Sequence, residues 1–233
     1  MKKIVLFIML MLPVVVSGQK DVTTFLGIPV DGSKDAMIHQ LAQKGFKRAP
    51  YGKEYDMTGE FNGEKVKITI ATNNKKVWRI IVCDAISINE TDIKIRFNKL
   101  VSQFSKNSKY ATANFEDASS FLLSEDEEIG FGISLYHKRY EAVFYQQPDL
   151  SLIDTVKVQN EIKEKLKNKF GEQRILYPDE IVKNEAIKLS LHYFAEIICK
   201  KSVWFMISEK SYGEYYIVMF YDNEYNHSNG EEL

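Results

Sequence analysis

The sequence predicts an α+β protein in which antiparallel β-meanders pack against helices, in two similar lobes. Three observations predict it. Helical and strand patterns run in the order αββββ-α-ββ-αα-ββ, which groups strands into hairpins instead of alternating them singly with helices. Strands are punctuated by tight-turn signals, the strongest being Asn62-Gly63. The composition is globular: 233 residues, 45% hydrophobic, 12% aromatic and 27% charged, with a net charge of -1. Such a balance excludes a disordered chain, a collagen-like fibre, a coiled-coil rod and a multi-span membrane protein. It also provides no basic field for nucleic acid.

The first residues, MKKIVLFIMLMLPVVVSGQK, have the layout of a secretory signal peptide. Lys2 and Lys3 form the positive start, Ile4 to Val16 is an unbroken apolar run, and Val16 and Gly18 put small residues before Gln19. A spanning helix needs about 20 apolar residues, so residues 1–18 read as a cleaved leader and not as an anchor. The mature chain is then expected in the periplasm or outside the cell, with no integral membrane segment. Losing Lys2 and Lys3 leaves 29 basic against 32 acidic residues, a charge of -3.

The mature chain divides into lobes at 19–107 and 108–233. Ser33 is a good N-cap for a short helix through Lys44, with Met37, Ile38 and Leu41 on one face and Gly45 as the stop. Phe46–Tyr51 and Glu54–Phe61 read as strands. Lys65–Ile70 alternates polar and apolar, so one face is wet; Asn73-Asn74 turns the chain; Val77–Cys83 is rich in β-branched residues and reads as buried. Asn89 caps a second helix, whose stripe of Ile93, Phe97, Leu100, Val101 and Phe104 is expected to lie across the preceding sheet. Ile129–Tyr136 and Arg139–Gln147 read as a hairpin turning near His137-Lys138. Helices follow over Thr155–Phe170, stopped by Gly171, and over Asp179–Lys200. Ser202–Ser208 and Glu214–Asp222 form a last hairpin, and a polar tail follows. On the final strand Tyr215, Ile217, Met219 and Tyr221 share one face and Tyr216, Val218 and Phe220 the other. Both faces are apolar, which predicts a central strand covered on both sides.

The stretches FLGIPVDGSKDAMIHQLAQKGF (Phe25–Phe46), GEFNGEKVKITIATNNKKVWRIIV and KKSVWFMISEKSYGEYYIVMFYDNEYN resemble a group of exported bacterial proteins without an assigned function. The resemblance extends over nearly all the mature chain. A Ser-capped helix followed by a four-stranded meander is similar in architecture to β-lactamase-inhibitor-like folds, to small outer-membrane-assembly lipoproteins and to PepSY-type domains. The lipoproteins carry a lipidated cysteine, and none stands near residues 17–20 here. The resemblance brings no catalytic residue with it, and it implies binding or inhibition instead of catalysis.

Catalytic signatures are missing from the sequence: there is no GxSxG, HExxH, CxxC, P-loop or GxGxxG. Gly130-Phe131-Gly132 reads as a bulge or close packing within a strand. Cys83 and Cys199 either pair, closing a long loop for about 4 kcal/mol in the chain-entropy model, or remain two thiols acting as small hydrophobes. Glu185, His192 and Glu196 share a helix stripe, and Glu125–Glu128 is an acidic run. Neither has the convergence or spacing of a metal site, and no cofactor is expected. The aromatics are the candidate binding surface: Trp78, Tyr140, Trp204, Tyr212 and Tyr215, read either as an exposed patch or as core and cross-strand packing. The expected function is an exported, non-catalytic binding protein whose partner is a protein or envelope component, contacted through a sheet face or the loops at its rim. The alternatives are a hydrolase with an unrecognised site and a homodimer that buries its own aromatic surface.

Overall fold

Among the described residues the chain forms ten strands, and eight of them join into one antiparallel sheet. The computed structural model describes residues 21–112 and 118–227; the leader reading for residues 1–18 falls outside them. The sheet comprises β3 (Lys47–Arg48), β4 (Met57–Phe61), β5 (Glu64–Asn73), β6 (Lys76–Asp84), β7 (Tyr110–Ala111), β8 (Glu141–Gln146), β9 (Ser202–Ser211) and β10 (Glu214–Asp222). Their spatial order is β3-β4-β5-β6-β10-β9-β8-β7. Strands β1 (Thr24–Phe25) and β2 (Ile28–Pro29) form a separate two-stranded ribbon. Read inward from either edge, the sheet is a run of four strands in chain order, and the two runs meet where β6 pairs antiparallel with β10. The class is α+β, an antiparallel sheet packed against helices, as the sequence predicts.

Two compact units divide the chain. One is Val22–Gln147 together with the chain from Ile198 onward and holds the whole sheet. The other contains Pro148–Ile197, which lies between β8 and β9 in sequence. Within that helical unit, Asp154 accepts a hydrogen bond from the Lys157 amide to start α4 (Thr155–Phe170). Gly171, at φ 82°, ends α4 where a side chain would be strained. After α5 (Glu172–Leu176), Asp179 caps α6 (Glu180–Cys199) through the Val182 amide and pairs with Arg174 at 2.6 Å. These two contacts hold the Asp179 carboxyl below its usual range.

The sheet unit follows the sequence pattern closely where the pattern is long. Ser33 caps α1 (Lys34–Gln43), which buries Met37 and Leu41. Asn89 caps α2 (Glu90–Lys106) by accepting from the Asp92 amide at 2.9 Å, and the stripe Ile93, Phe97, Leu100, Val101 and Phe104 is buried. This helix packs on β10, β9 and β7, so it covers the half of the sheet built by later strands and not chiefly the preceding meander. The Phe97 and Phe205 rings meet edge-on at 5.2 Å, and Phe104 lies 5.1 Å from Phe144. Asn62 and Gly63 both have positive φ, the mirror-image turn that a two-residue hairpin needs. The next turn falls at Asn74 and Lys75, one residue later than the sequence places it, because β5 pairs through Asn73.

One element departs from the sequence reading. Ile129–Ser134 is a short helix, α3, and not the first strand of a hairpin. The apolar alternation of this six-residue run fits either period. Packing selects the helix: Ile129 and Gly132 are buried, and the Ile129 amide donates to the Glu90 carboxylate at 2.7 Å. The glycines mark close packing, as expected, but in a helix. A Cβ on Gly132 would stand 1.8 Å from the Tyr140 hydroxyl, and one on Gly130 would stand 2.8 Å from that of Tyr215.

Candidate functional site

Strand alternation sends every second residue to the core and its neighbours to the opposite side of the sheet. On β9, Val203, Phe205 and Ile207 are buried in the core; on β10 Tyr215, Ile217, Met219 and Tyr221 join them. The other side is built from the residues between. Phe220 stands opposite Ile81 on β6 and opposite Trp204 on β9, and Val218 stands between Cys83 and Met206. Val143 of β8 continues the row beside Trp204. Apart from buried Val218, these side chains are half-buried. The final strand is therefore central, as predicted, while its second face is only partly covered.

A β-bulge gives this face its polar feature. Ala71 pairs with Arg79 and Thr72 with Val77, which leaves Trp78 as the extra residue on β6. Val77 and Ile80 enter the core, while Trp78 and Arg79 stay half-buried side by side. The Arg79 guanidinium lies 4.3 Å from the Trp78 ring centre, 5.0 Å from Phe220 and 5.7 Å from Trp204. The Trp204 and Phe220 rings stack at 3.9 Å with an interplanar angle of 16°. Asp222, 2% exposed, fixes the group. Arg79 donates to both of its carboxylate oxygens, Nε at 2.6 Å and Nη2 at 2.8 Å, and the Trp204 indole donates to Oδ2 at 2.9 Å. A planar cation held bidentately and surrounded by rings is rigid, because each contact restricts the others. Lys67 lies in register beside Cys83, with its ammonium over the Tyr55 ring, and adds charge on the β5 side.

The structure separates the sequence-predicted aromatics. Trp78 and Trp204 belong to this face. Tyr140 and Tyr215 are corrections: both are buried on the core side. The Tyr140 hydroxyl donates to Glu127 at 2.6 Å, and burial together with that carboxylate pushes its phenol above the usual range. Lys138 and Tyr140 in turn hold Glu127 below its usual range. Tyr212 stands 93% exposed at the β9–β10 turn. Sequence reading missed Arg79, Phe220, Met206, Ile81 and Asp222. Alternation along β9 and β10 would have found Met206 and Phe220, but the bulge that sets Arg79 beside Trp78 has no signature in residue type.

Cys83 and Cys199 are both free thiols. Burial, reinforced by the neighbouring Asp84, raises the Cys83 thiol above its usual range, whereas Cys199 is exposed. A thiol reagent at neutral pH is therefore expected to label Cys199 rapidly and Cys83 slowly in the native chain. Both should react in denaturant; the absence of any reactive thiol under denaturing, non-reducing conditions, restored to two by a reductant, would show a Cys83–Cys199 disulfide instead. Glu185, His192 and Glu196 do not converge: Glu185 pairs with Lys169 at 2.7 Å, and His192 lies 3.4 Å from Glu196 on an exposed surface. Among the described residues, no three His, Cys, Asp or Glu side chains are placed to hold a metal ion, and no helix is long and apolar enough to cross a membrane.

Fold and face together define an α+β protein whose eight-stranded antiparallel sheet, within its own unit, packs against helices α1 and α2 on one side and presents an aromatic, half-buried surface on the other. Compared with protein-family models, curated proteins and solved structures, the chain has no match.

Proposed function

We propose that the chain is an exported, non-catalytic binding protein of the bacterial envelope, which engages a protein or envelope component through the second face of its sheet. One observation carries the reading. Trp78, Trp204, Phe220 and Met206 form a contiguous, partly exposed surface pre-ordered by the Arg79–Asp222 pair. Trp, Tyr and Arg dominate binding hot spots because they offer large contact area at small entropy cost. The leader at residues 1–18 supports the envelope. The architectural resemblance to inhibitor-like and assembly-lipoprotein folds agrees with binding, at the level of fold alone.

The mature chain, immobilised and exposed to envelope extract, is expected to retain a stoichiometric partner. Trp204→Ala and Met206→Glu should each weaken retention by about 30-fold or more, the scale of a 2 kcal/mol hot spot. Thermal unfolding of the same variants separates lost binding from lost folding. Retention unchanged in both folded variants would contradict the reading, as would hydrolytic turnover abolished by one point substitution.

A further inference from the structure

Large apolar side chains gather at one end of the sheet unit. β10 begins there, β9 and β6 end there, and β8 starts there. Ser87 donates to the Glu214 carboxylate at 3.0 Å, and the backbones of Ile88 and Tyr215 exchange two hydrogen bonds. These contacts place Ile86 beside the β9–β10 turn that carries Tyr212. Helix α3 is tied to the same end through the bonds its first amides donate to Glu90. Ile86 is 64% exposed, Phe131 58%, Leu135 60% and Tyr136 72%. Isolated exposed apolar residues are ordinary, whereas several brought to one end of a unit by a helix and the loop before another mark an interaction surface.

Negative charge is in excess around Phe131, Leu135 and Tyr136. Four cations at this end are already engaged: Lys138 with Glu127 at 2.6 Å, Arg139 with Glu141 at 2.7 Å, Lys210 with Glu214 at 3.6 Å, and Lys94 with the carbonyls of Glu125 and Glu127. Exposed Lys65, whose carbonyl accepts from the Ala85 amide, lies on the Ile86 side. The exposed carboxylates of Glu125, Asp126 and Glu128 have no ion-pair partner among the described residues. An apolar patch bordered by uncommitted negative charge repels a second copy of itself and an anionic bilayer, and it attracts a surface of opposite sign.

We propose that Ile86, Phe131, Leu135 and Tyr136 form a docking surface for a cationic, apolar segment of a partner protein, whose positive side chains meet Glu125, Asp126 and Glu128. The proposal rests on the reading above only in that the chain binds a protein partner, and it adds a second contact surface, at the end of the sheet, with its own chemistry.

The test places a photoreactive phenylalanine analogue at position 135 of the full mature chain, and separately at position 206 on the sheet face, in cells. The expected adduct at 135 is a protein, with a cross-linked peptide of net positive charge carrying apolar residues. The triple variant Glu125→Lys, Asp126→Lys, Glu128→Lys should lower its yield at least fivefold. Adducts at 135 with lipid or with a second copy of this chain would overturn the proposal. So would an acidic peptide, or a yield indifferent to charge reversal. An adduct at 206 with none at 135 would overturn it while leaving the sheet-face reading intact, and no adduct at either position would remove both.

Discussion

Asp222→Ala is expected to destabilise the sheet unit by about 3–5 kcal/mol, because it leaves the Arg79 cation inside the sheet without its carboxylate. The carboxylate is almost wholly buried and takes four hydrogen bonds, two from the guanidinium, one from the Trp204 indole and a longer one, 3.5 Å, from the Ser202 hydroxyl. Its removal also frees Arg79 from the rings of Trp78, Trp204 and Phe220 that it touches. Arg79 is partly exposed and can rehydrate, so the loss should fall toward the lower end of that range. Urea unfolding followed by tryptophan fluorescence would measure it. The double variant Arg79→Ala, Asp222→Ala should be less destabilised than the sum of the singles, since neither partner is then left alone. Strict additivity would show that the pair contributes nothing as a pair. The same substitution is expected to abolish partner retention even below the unfolding midpoint, because the aromatic face loses its fixed geometry.

A second large effect is expected at the other buried ion pair. Arg96 on α2 donates to both oxygens of Asp84 at the end of β6, at 3.1 and 2.9 Å, and both side chains are nearly excluded from water. The Asp84 carboxylate also accepts from the Ile217 amide of β10, so one group ties the helix to the two central strands. Arg96→Ala should cost about 3–5 kcal/mol by stranding that carboxylate. Replacing both members with apolar residues of similar size, Arg96→Met with Asp84→Leu, should recover most of the loss, because the desolvation of two charges disappears with the pair. Partner retention should survive in the double variant, since the pair lies on the core side of the sheet, and this separates it from Asp222. Urea midpoints of Arg96→Ala and of the double variant decide the matter.

The parts of this fold that could be read from sequence are those where a period repeats. The five-member stripe of α2 occupies more than three turns, and every member is buried. The Asn62-Gly63 turn was legible because only such residues accept two consecutive positive φ angles cheaply. Ile129–Ser134 was misread because six residues cannot distinguish a period of 2 from one of 3.6. What selects the helix there is contact with residues outside it: the hydroxyls of Tyr140, just before β8, and of Tyr215 on β10 close on its two glycines. The candidate site was half legible for a similar reason. Trp78 and Trp204 stand out by type, but the side of the sheet on which an aromatic emerges depends on register. Tyr140 and Tyr215 lie on the core side, and Trp78 shares a face with Arg79 only because the ladder passes over Trp78 on β6 opposite the Ala71–Thr72 step. Arg79 itself was invisible as part of the site, since its role comes from Asp222, more than a hundred residues away.

Oxidative footprinting of the mature chain, alone and in envelope extract, tests the sheet-face reading most directly. Trp78, Trp204, Met206 and Phe220 are predicted to oxidise readily in the free chain and to become protected together as extract is added, while fully exposed Tyr51 remains unchanged. Undiminished oxidation of Trp204 and Met206 at saturating extract, with the chain still folded, would contradict it.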